Sequence, residues 1–168
     1  MEVRLRKFVA TDIPNKVRWI NDERNNTYLH YDLPLEIERT QRWFESVKDS
    51  SNRYDAVIEV SGVSVGLIGL LNIDRTNLKA EYYITLGEES YKRKGISYVA
   101  SQQLLRYAFE ELSLNKVYLN VDADNIAACR LYEKVGFCCE GVFEQDMMHR
   151  GKLIDRKRYA VLKSRFKT

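Results

Sequence analysis

Two short stretches hold the residues best suited to chemistry. The first, Tyr91-Lys92-Arg93-Lys94-Gly95-Ile96-Ser97, lies between a segment of strand character and one of helical character. Successive backbone N–H groups at a helix start, backed by the positive end of the helix dipole, can converge on a pyrophosphate, and three cations reinforce such a site. An ordinary solvated basic turn accounts for the same residues, and one glycine loop does not separate the two readings. The second stretch, Asn125 to Phe137, reads as a capped helix. Asp124 or Asn125 can cap its start, Ala128, Leu131, Tyr132 and Val135 share one side, and Gly136 stands where a left-handed stop is expected. Alone, Tyr132 reads as a helix tyrosine packed on a sheet. His30 and His149 are far apart in sequence and no third ligand accompanies them, so no metal site is expected. Cys129, Cys138 and Cys139 form neither a disulfide framework nor zinc spacing and are expected to be reduced packing residues.

These stretches need a scaffold, and the hydrophobic pattern supplies one. Val3 and Leu5 alternate with Arg4 and Arg6 as a half-buried strand, and Pro14 sits in the first turn of a helix ending near Asn25 and Asn26. After a polar and aromatic loop, Thr27 to Pro34, comes a second helix with Ile37, Trp43, Phe44 and Val47 as its apolar stripe. Tyr54 to Val60, Val63 to Leu71 and Lys79 to Leu86 read as an antiparallel meander, turning at Ser61-Gly62 and at Asp74 to Asn77. A long helix carries Ala100, Leu104, Tyr107, Ala108 and Leu112, followed by a strand from Lys116 to Val121, the capped helix, and two strands, Phe137 to Met147 and Lys157 to Lys163, around Arg150-Gly151. The order β-α-α-β-β-β-α-β-α-β-β predicts an α/β (α+β) fold: a mixed sheet of about seven strands flanked by about four helices.

Bulk properties narrow the function classes. A chain of 168 residues, 45% hydrophobic and 30% charged, is expected to form one globular domain over 1–168. No apolar run approaches the roughly 18 residues of a membrane helix, and the charged start from Met1 to Lys7 is unlike a signal peptide. No membrane is expected, and the cytoplasm is the expected compartment. The net charge of +3 is spread along the chain, which argues little for nucleic acid and slightly favours anionic ligands.

Asn125, Ala128, Tyr132, Lys134, Gly136 and Phe137 match a pattern of Asn, a small residue three later, Tyr four after that, and then Lys-x-Gly-Phe. On these residues, with Tyr118 to Val121 and the loop at Gly95, the chain resembles the GNAT superfamily of N-acetyltransferases. The resemblance covers the C-terminal two thirds by motif and the whole chain by element order. It departs from the family in one loop. The usual pyrophosphate loop reads Gln or Arg, two residues, Gly, one residue, then Gly or Ala, whereas this chain has Lys92, Gly95 and Ser97. Lys92 keeps the charge without the fork of Arg, and Ser97 stays small.

The resemblance implies acetyl-CoA as cofactor. Its pyrophosphate would be held around Lys92, Arg93, Lys94, Gly95, Ile96, Ser97 and Tyr98, with Ala128 and Lys134 lining the site. Asn125 would bond the cofactor arm and Tyr132 would face the sulfur. Chemistry supports the same division of labour. A neutral amine attacks a thioester carbonyl, an oxyanion develops and a thiolate leaves. A backbone N–H between Ile84 and Leu86, where the family's two central strands splay, can stabilise the oxyanion. Tyr132, with a reference pKa near 10, stays protonated and can donate to a thiolate of free pKa about 8.5. An alkyl ammonium loses its proton near 10.4 in water, so attack needs a proton acceptor; Glu81, sharing a strand face with Tyr83 and Thr85, is the candidate beside a chain of waters.

The acceptor is expected to be a small-molecule amine bound near Asn21, Tyr28, His30, Tyr31 and Glu81. Trp19 to Asp22 and Gln41 to Phe44 look like acetyltransferases of amino-sugar nucleotides. Lys79 to Tyr82 and Val142 to Arg150 look like spermidine and diamine acetyltransferases and the related ribosomal-protein N-terminal acetyltransferases. Asp22, Glu23, Asp32, Glu36 and Glu81 could supply the carboxylates a polyamine needs. A non-catalytic acyl-CoA-binding module is the remaining alternative. The unpaired edge expected of the last strands offers a surface for a homodimer.

Overall fold

A computed structural model describes residues 1–167. Seven strands form one sheet in the order β1-β2-β3-β4-β5-β7-β6: β1 Val3–Lys7, β2 Tyr54–Val60, β3 Val63–Asp74, β4 Lys79–Leu86, β5 Lys116–Asp122, β6 Cys138–His149 and β7 Lys152–Leu162. The β2–β3 turn is Ser61-Gly62, both at positive φ (48° and 84°), as a right-twisted hairpin requires. β4 and β5 pair in parallel; the other neighbours are antiparallel.

Among the described residues the expected four helices become five. The opening helix divides into α1 Ile13–Asn21 and α2 Glu23–Asn26, because Asp22 turns extended (φ −72°, ψ 120°) and its carboxylate accepts from the Arg24 N–H at 2.9 Å. Aspartate makes a better cap than helix interior, so it restarts the helix. The others are α3 Ile37–Val47, α4 Ile96–Arg106 and α5 Ile126–Val135. α4 continues into a wider turn, Tyr107–Glu111. β6 and β7 are longer than expected. The hairpin extends to Arg150-Gly151 by absorbing irregularities at Cys139/Gly141 and Phe143/Met147. β6 is the sheet's edge and largely exposed, so Cys138 and Cys139 face solvent and only Cys129 packs inside, against the expectation for all three.

Both faces of the sheet are covered, so β2 and β3 bury apolar residues on both sides. Ala56, Ile58 and Val60 point with Ile68 and Leu70 toward Leu104, Leu105 and Phe109 of the α4 side; Val57 and Leu67 point to Phe8, Ile13 and Trp19 of the α1 side. Trp19 is 1% exposed, and its ring lies so close to Gly87 that a Cβ there would stand 2.2 Å away. The entry of the chain after β4 is thereby fixed against α1.

Lys16 of α1 is also buried, its ammonium 3.5 Å from the Trp43 ring centroid. Burial pushes its pKa down to about 8, with Asp55 opposing and Arg53 adding to the fall. A lysine depressed on folding binds fewer protons folded than unfolded between that value and its ordinary one, so stability rises with pH across this interval. Relative to Lys16→Met, the wild-type chain is expected to gain on the order of 3 kcal/mol between pH 7 and 10.5. Urea unfolding at both pH values checks this, and a difference independent of pH contradicts it.

Candidate active site

Parallel pairing of β4 with β5 covers only Lys79, Ala80 and Glu81 opposite Lys116, Val117 and Tyr118. Beyond Glu81 the strands part. β4 keeps its ladder with β3 as far as Leu86, and β5 keeps its ladder with β7 as far as Asp122. On the side facing the wedge, β4 from Tyr82 to Leu86 has no strand partner, so its N–H groups are available to a ligand. This is the splay that the family resemblance implies, and it places Ile84 to Leu86 on the wedge.

A cavity of about 340 Å³ fills the wedge, lined by Glu81, Ile84, Leu86, Asn125, Ala128 and Tyr132, with Tyr28 and His30 also in its wall. Leu86, Ala128 and Leu131 pass from it into an adjoining groove lined by Lys92, Arg93, Gly95, Ile96, Ser97, Tyr98 and Lys134. The two adjoin between the parted ends of β4 and β5, with Leu86, Ala128 and Leu131 in common and Lys92, Arg93 and Lys134 in the second.

Tyr132 stands in the wall of the wedge cavity, one residue after the shared Leu131. Its ring is held edge-on by Tyr82 at 5.8 Å and by Phe137 at 5.9 Å. Phe137 is buried, brought under the tyrosine because Gly136, at φ 121°, reverses the chain and lets the Phe137 N–H bond the Tyr132 carbonyl at 2.9 Å. Tyr82 is fixed in turn by Ser101 at 2.6 Å. Burial, and to a lesser degree Cys129, pushes the Tyr132 phenol well above its ordinary value. The hydroxyl therefore keeps its proton at neutral pH and is able to donate a hydrogen bond.

The loop before α4 carries two left-handed residues, Arg93 at φ 62° and Gly95 at φ 79°, and nothing lies within 4 Å of the position a Gly95 Cβ would take. The first ladder bond of α4 runs from the Val99 N–H to the Gly95 carbonyl, so the earlier N–H groups remain for an anion. Lys92 is used differently from the expectation that it serves the phosphates. Its ammonium pairs with Glu89 at 2.8 Å and donates to the Asn25 side chain, clamping the loop to α2. Lys94 turns toward the Tyr91 ring and Lys134 toward that of Tyr98, at 6.0 and 5.1 Å. Asn125 caps α5 by accepting from the Ala128 N–H at 3.3 Å, which commits its oxygen and leaves its amide N–H groups for the cavity.

Glu81 lies in the cavity wall, 3.3 Å from the Asn72 amide nitrogen. Of the five carboxylates expected near the acceptor, it alone lines the wedge. Asp22 pairs with Arg24 and Asp32 with Arg39, while Glu23 and Glu36 line other recesses. The acceptor set is likewise corrected. Tyr28 and His30 reach the cavity, whereas Asn21 bonds the Leu35 N–H and carbonyl at 2.7 and 3.0 Å and Tyr31 turns to a recess beside Lys16 and Trp43.

Sequence reasoning missed Asp122, Asn25 and Arg156. Asp122, 4% exposed at the end of β5, supplies the cavity's second carboxylate. Asn25 donates to the Trp19 and Gly87 carbonyls, joining α1 to the end of β4. Nor are the histidines separate. His30 Nδ1 lies 3.1 Å from His149 Nδ1 and His30 Nε2 lies 2.8 Å from Asp122 Oδ1, so folding makes the cluster their sequence separation argued against. The expected strand ended at Val121, one residue short of Asp122, and the partners of Asp122, His30 from the loop after α2 and Arg156 from β7, come from distant segments.

Parted parallel strands over a path with an anion-ready helix start at one end define a CoA-dependent acyltransferase. The chain belongs to the acetyltransferase (GNAT) domain family, whose pattern residues 2–138 match. It is 29% identical over 149 residues to a spermidine N(1)-acetyltransferase of Vibrio cholerae, covering 88% of this chain and 86% of that protein. It is 31% identical over 152 residues to the spermidine N(1)-acetyltransferase of Escherichia coli, covering 88% and 76%. A crystal structure of the V. cholerae spermidine N-acetyltransferase in complex with CoA and spermine superposes with a TM-score of 0.90 at 25% identity, covering 97% of this chain and 96% of that one. The protein is an acetyl-CoA-dependent N-acetyltransferase.

Proposed function

We propose that the acceptor is a polyamine, acetylated on a primary amine by direct attack on acetyl-CoA within a single domain. The observation that carries this reading is the pair of carboxylates, Glu81 and Asp122, in the same cavity as Tyr132. A polyamine presents several ammonium groups, and the two carboxylates are its natural counter-charges. The similarity to two spermidine N(1)-acetyltransferases supports the same acceptor.

In this mechanism the groove from Arg93 to Tyr98, with Lys134, holds the pyrophosphate on the free N–H groups of α4, and Ala128 lets the pantetheine arm pass close to α5. The Asn125 amide bonds that arm. Bound there, acetyl-CoA supplies an activated acyl group. Glu81 takes the proton from the bound ammonium, directly or through one water, and the free amine attacks the carbonyl carbon. A β4 N–H between Ile84 and Leu86 carries the charge that develops on the oxygen. As the C–S bond breaks, Tyr132 donates a hydrogen bond to the sulfur; of the two protons the nitrogen gives up, the one taken by Glu81 passes to solvent and the one released after attack ends on the CoA thiol. Tyr28 and His30 close the acceptor end. The cytoplasm, where acetyl-CoA is made available to such enzymes, is the proposed compartment. Two copies would pair through the β6 edge, where Val142 and Met148 are 53% and 63% exposed.

Glu81→Gln tests the acceptor end. The variant is expected to lower kcat/KM for spermidine by ~100-fold while acetyl-CoA binds as before, since a positioned base contributes on that scale. Steady-state kinetics with calorimetric acetyl-CoA titration checks this, and an unchanged kcat/KM assigns proton removal to water.

A further inference from the structure

We propose that His30 and His149 hold a divalent transition-metal ion between their Nδ1 atoms, in a site that Asp122 and the Thr27 carbonyl preorganise. The argument begins with the outer nitrogens. His30 Nε2 faces Asp122 Oδ1 at 2.8 Å, and His149 Nε2 faces the Thr27 backbone oxygen at 3.1 Å. A carboxylate and a backbone carbonyl only accept, so each Nε2 carries the hydrogen of its neutral ring. Both Nδ1 atoms are then bare lone pairs, and they face one another at 3.1 Å. Two lone pairs at that separation repel unless a cation lies between them.

The spacing suits a metal. Two imidazole nitrogens at about 2.0–2.1 Å from a tetrahedral ion stand roughly 3.3 Å apart, within small side-chain adjustment of the separation here. Donation of each outer N–H to a carboxylate or carbonyl is the arrangement that orients metal-binding histidines and raises their basicity. Asp122 is 4% exposed and reinforced by Arg156 at 3.9 Å, so it is a fixed orienting group. Neutral imidazole favours zinc, nickel, copper or cobalt over calcium or magnesium. The two histidines leave further coordination positions for water.

The site has a mechanical meaning. His149 ends β6 at the tip of the β6–β7 hairpin, and His30 lies in the loop after α2 that closes the acceptor cavity. Next to it Arg150 already donates to the Asn26 carbonyl at 3.1 Å. A bound ion would rivet the hairpin tip to this loop. The assignment is independent of which amine is acetylated.

The test uses the full chain with Cys138→Ser and Cys139→Ser, because exposed thiols compete for soft metals. Zn²⁺ is titrated against a chromophoric chelator, and Co²⁺ is followed by its visible absorption. One ion per chain is expected, with binding abolished by His30→Ala and by His149→Ala and weakened about 10–100-fold by Asp122→Asn. Thermal unfolding confirms that each variant is folded. Absence of Zn²⁺ binding, or binding untouched by His149→Ala, overturns the proposal. So does ¹⁵N NMR that finds a protonated Nδ1 between the rings with stoichiometric Zn²⁺ present, which would mean that a proton is the cation.

Discussion

Replacing Tyr132 by Phe is expected to lower kcat by ~100-fold or more, since a positioned proton donor contributes on that scale. Acetyl-CoA affinity should stay nearly unchanged. The ring packs edge-on against Tyr82 and Phe137, and Phe preserves both contacts while removing only the hydroxyl. The burial that raises the phenol pKa gives the variant no charged state to lose at neutral pH, so the defect should persist across the neutral range. Measuring kcat for thiol release and Kd by calorimetry separates the two effects. Equal loss in both would mean that Tyr132 shapes the groove and takes no part in C–S cleavage.

Phe137→Ala should produce the largest change in stability. Phe137 is 2% exposed and fills the space between Tyr82 and Tyr132, so truncation leaves a cavity under the tyrosine. A loss of about 3–5 kcal/mol is expected, lowering Tm by roughly 6–20 °C in a domain of this size. Turnover measured well below Tm should fall too, because the tyrosine loses the surface that aims it. Phe137→Leu should recover most of both, since a bulky apolar group returns at the same point. Thermal unfolding followed by circular dichroism, with kcat measured in parallel, checks the pair; full activity in a destabilised Phe137→Ala would separate stability from aim.

How far the sequence led can be seen at particular residues. Ser61-Gly62, Arg150-Gly151 and Gly136 are punctuation whose backbone demands are local, and each turned the chain where expected. The helix from Asn125 was legible because cap, apolar side and stop all lie within one segment. The partial pairing of β4 with β5 followed from the family resemblance and places Ile84 to Leu86 on the cavity. What escaped was long-range. Lys92 reads as a phosphate ligand in its own loop; its pairing with Glu89 is local, but the second partner, Asn25, is supplied by α2 from 67 residues away. Asn21 and Tyr31 sit in the segment that builds the acceptor end, yet the first ties the chain to Leu35 and the second turns away beside Lys16. His149 reaches His30 only because β7 inserts between β5 and β6 and the long hairpin carries its tip back over α2, and no periodicity of the sequence encodes that register.

The central claim, acetyl transfer from CoA to a polyamine, is tested most directly by acetyl-CoA-dependent thiol release. Purified protein is offered spermidine, an amino-sugar nucleotide or an alanine-ended peptide, with a no-amine blank. Release with spermidine, accompanied by mass-spectrometric detection of the N-acetylated product, is the predicted result. Release with the amino-sugar nucleotide or the peptide and none with spermidine would contradict the acceptor, and calorimetric binding of acetyl-CoA with no release to any amine would contradict the catalytic account.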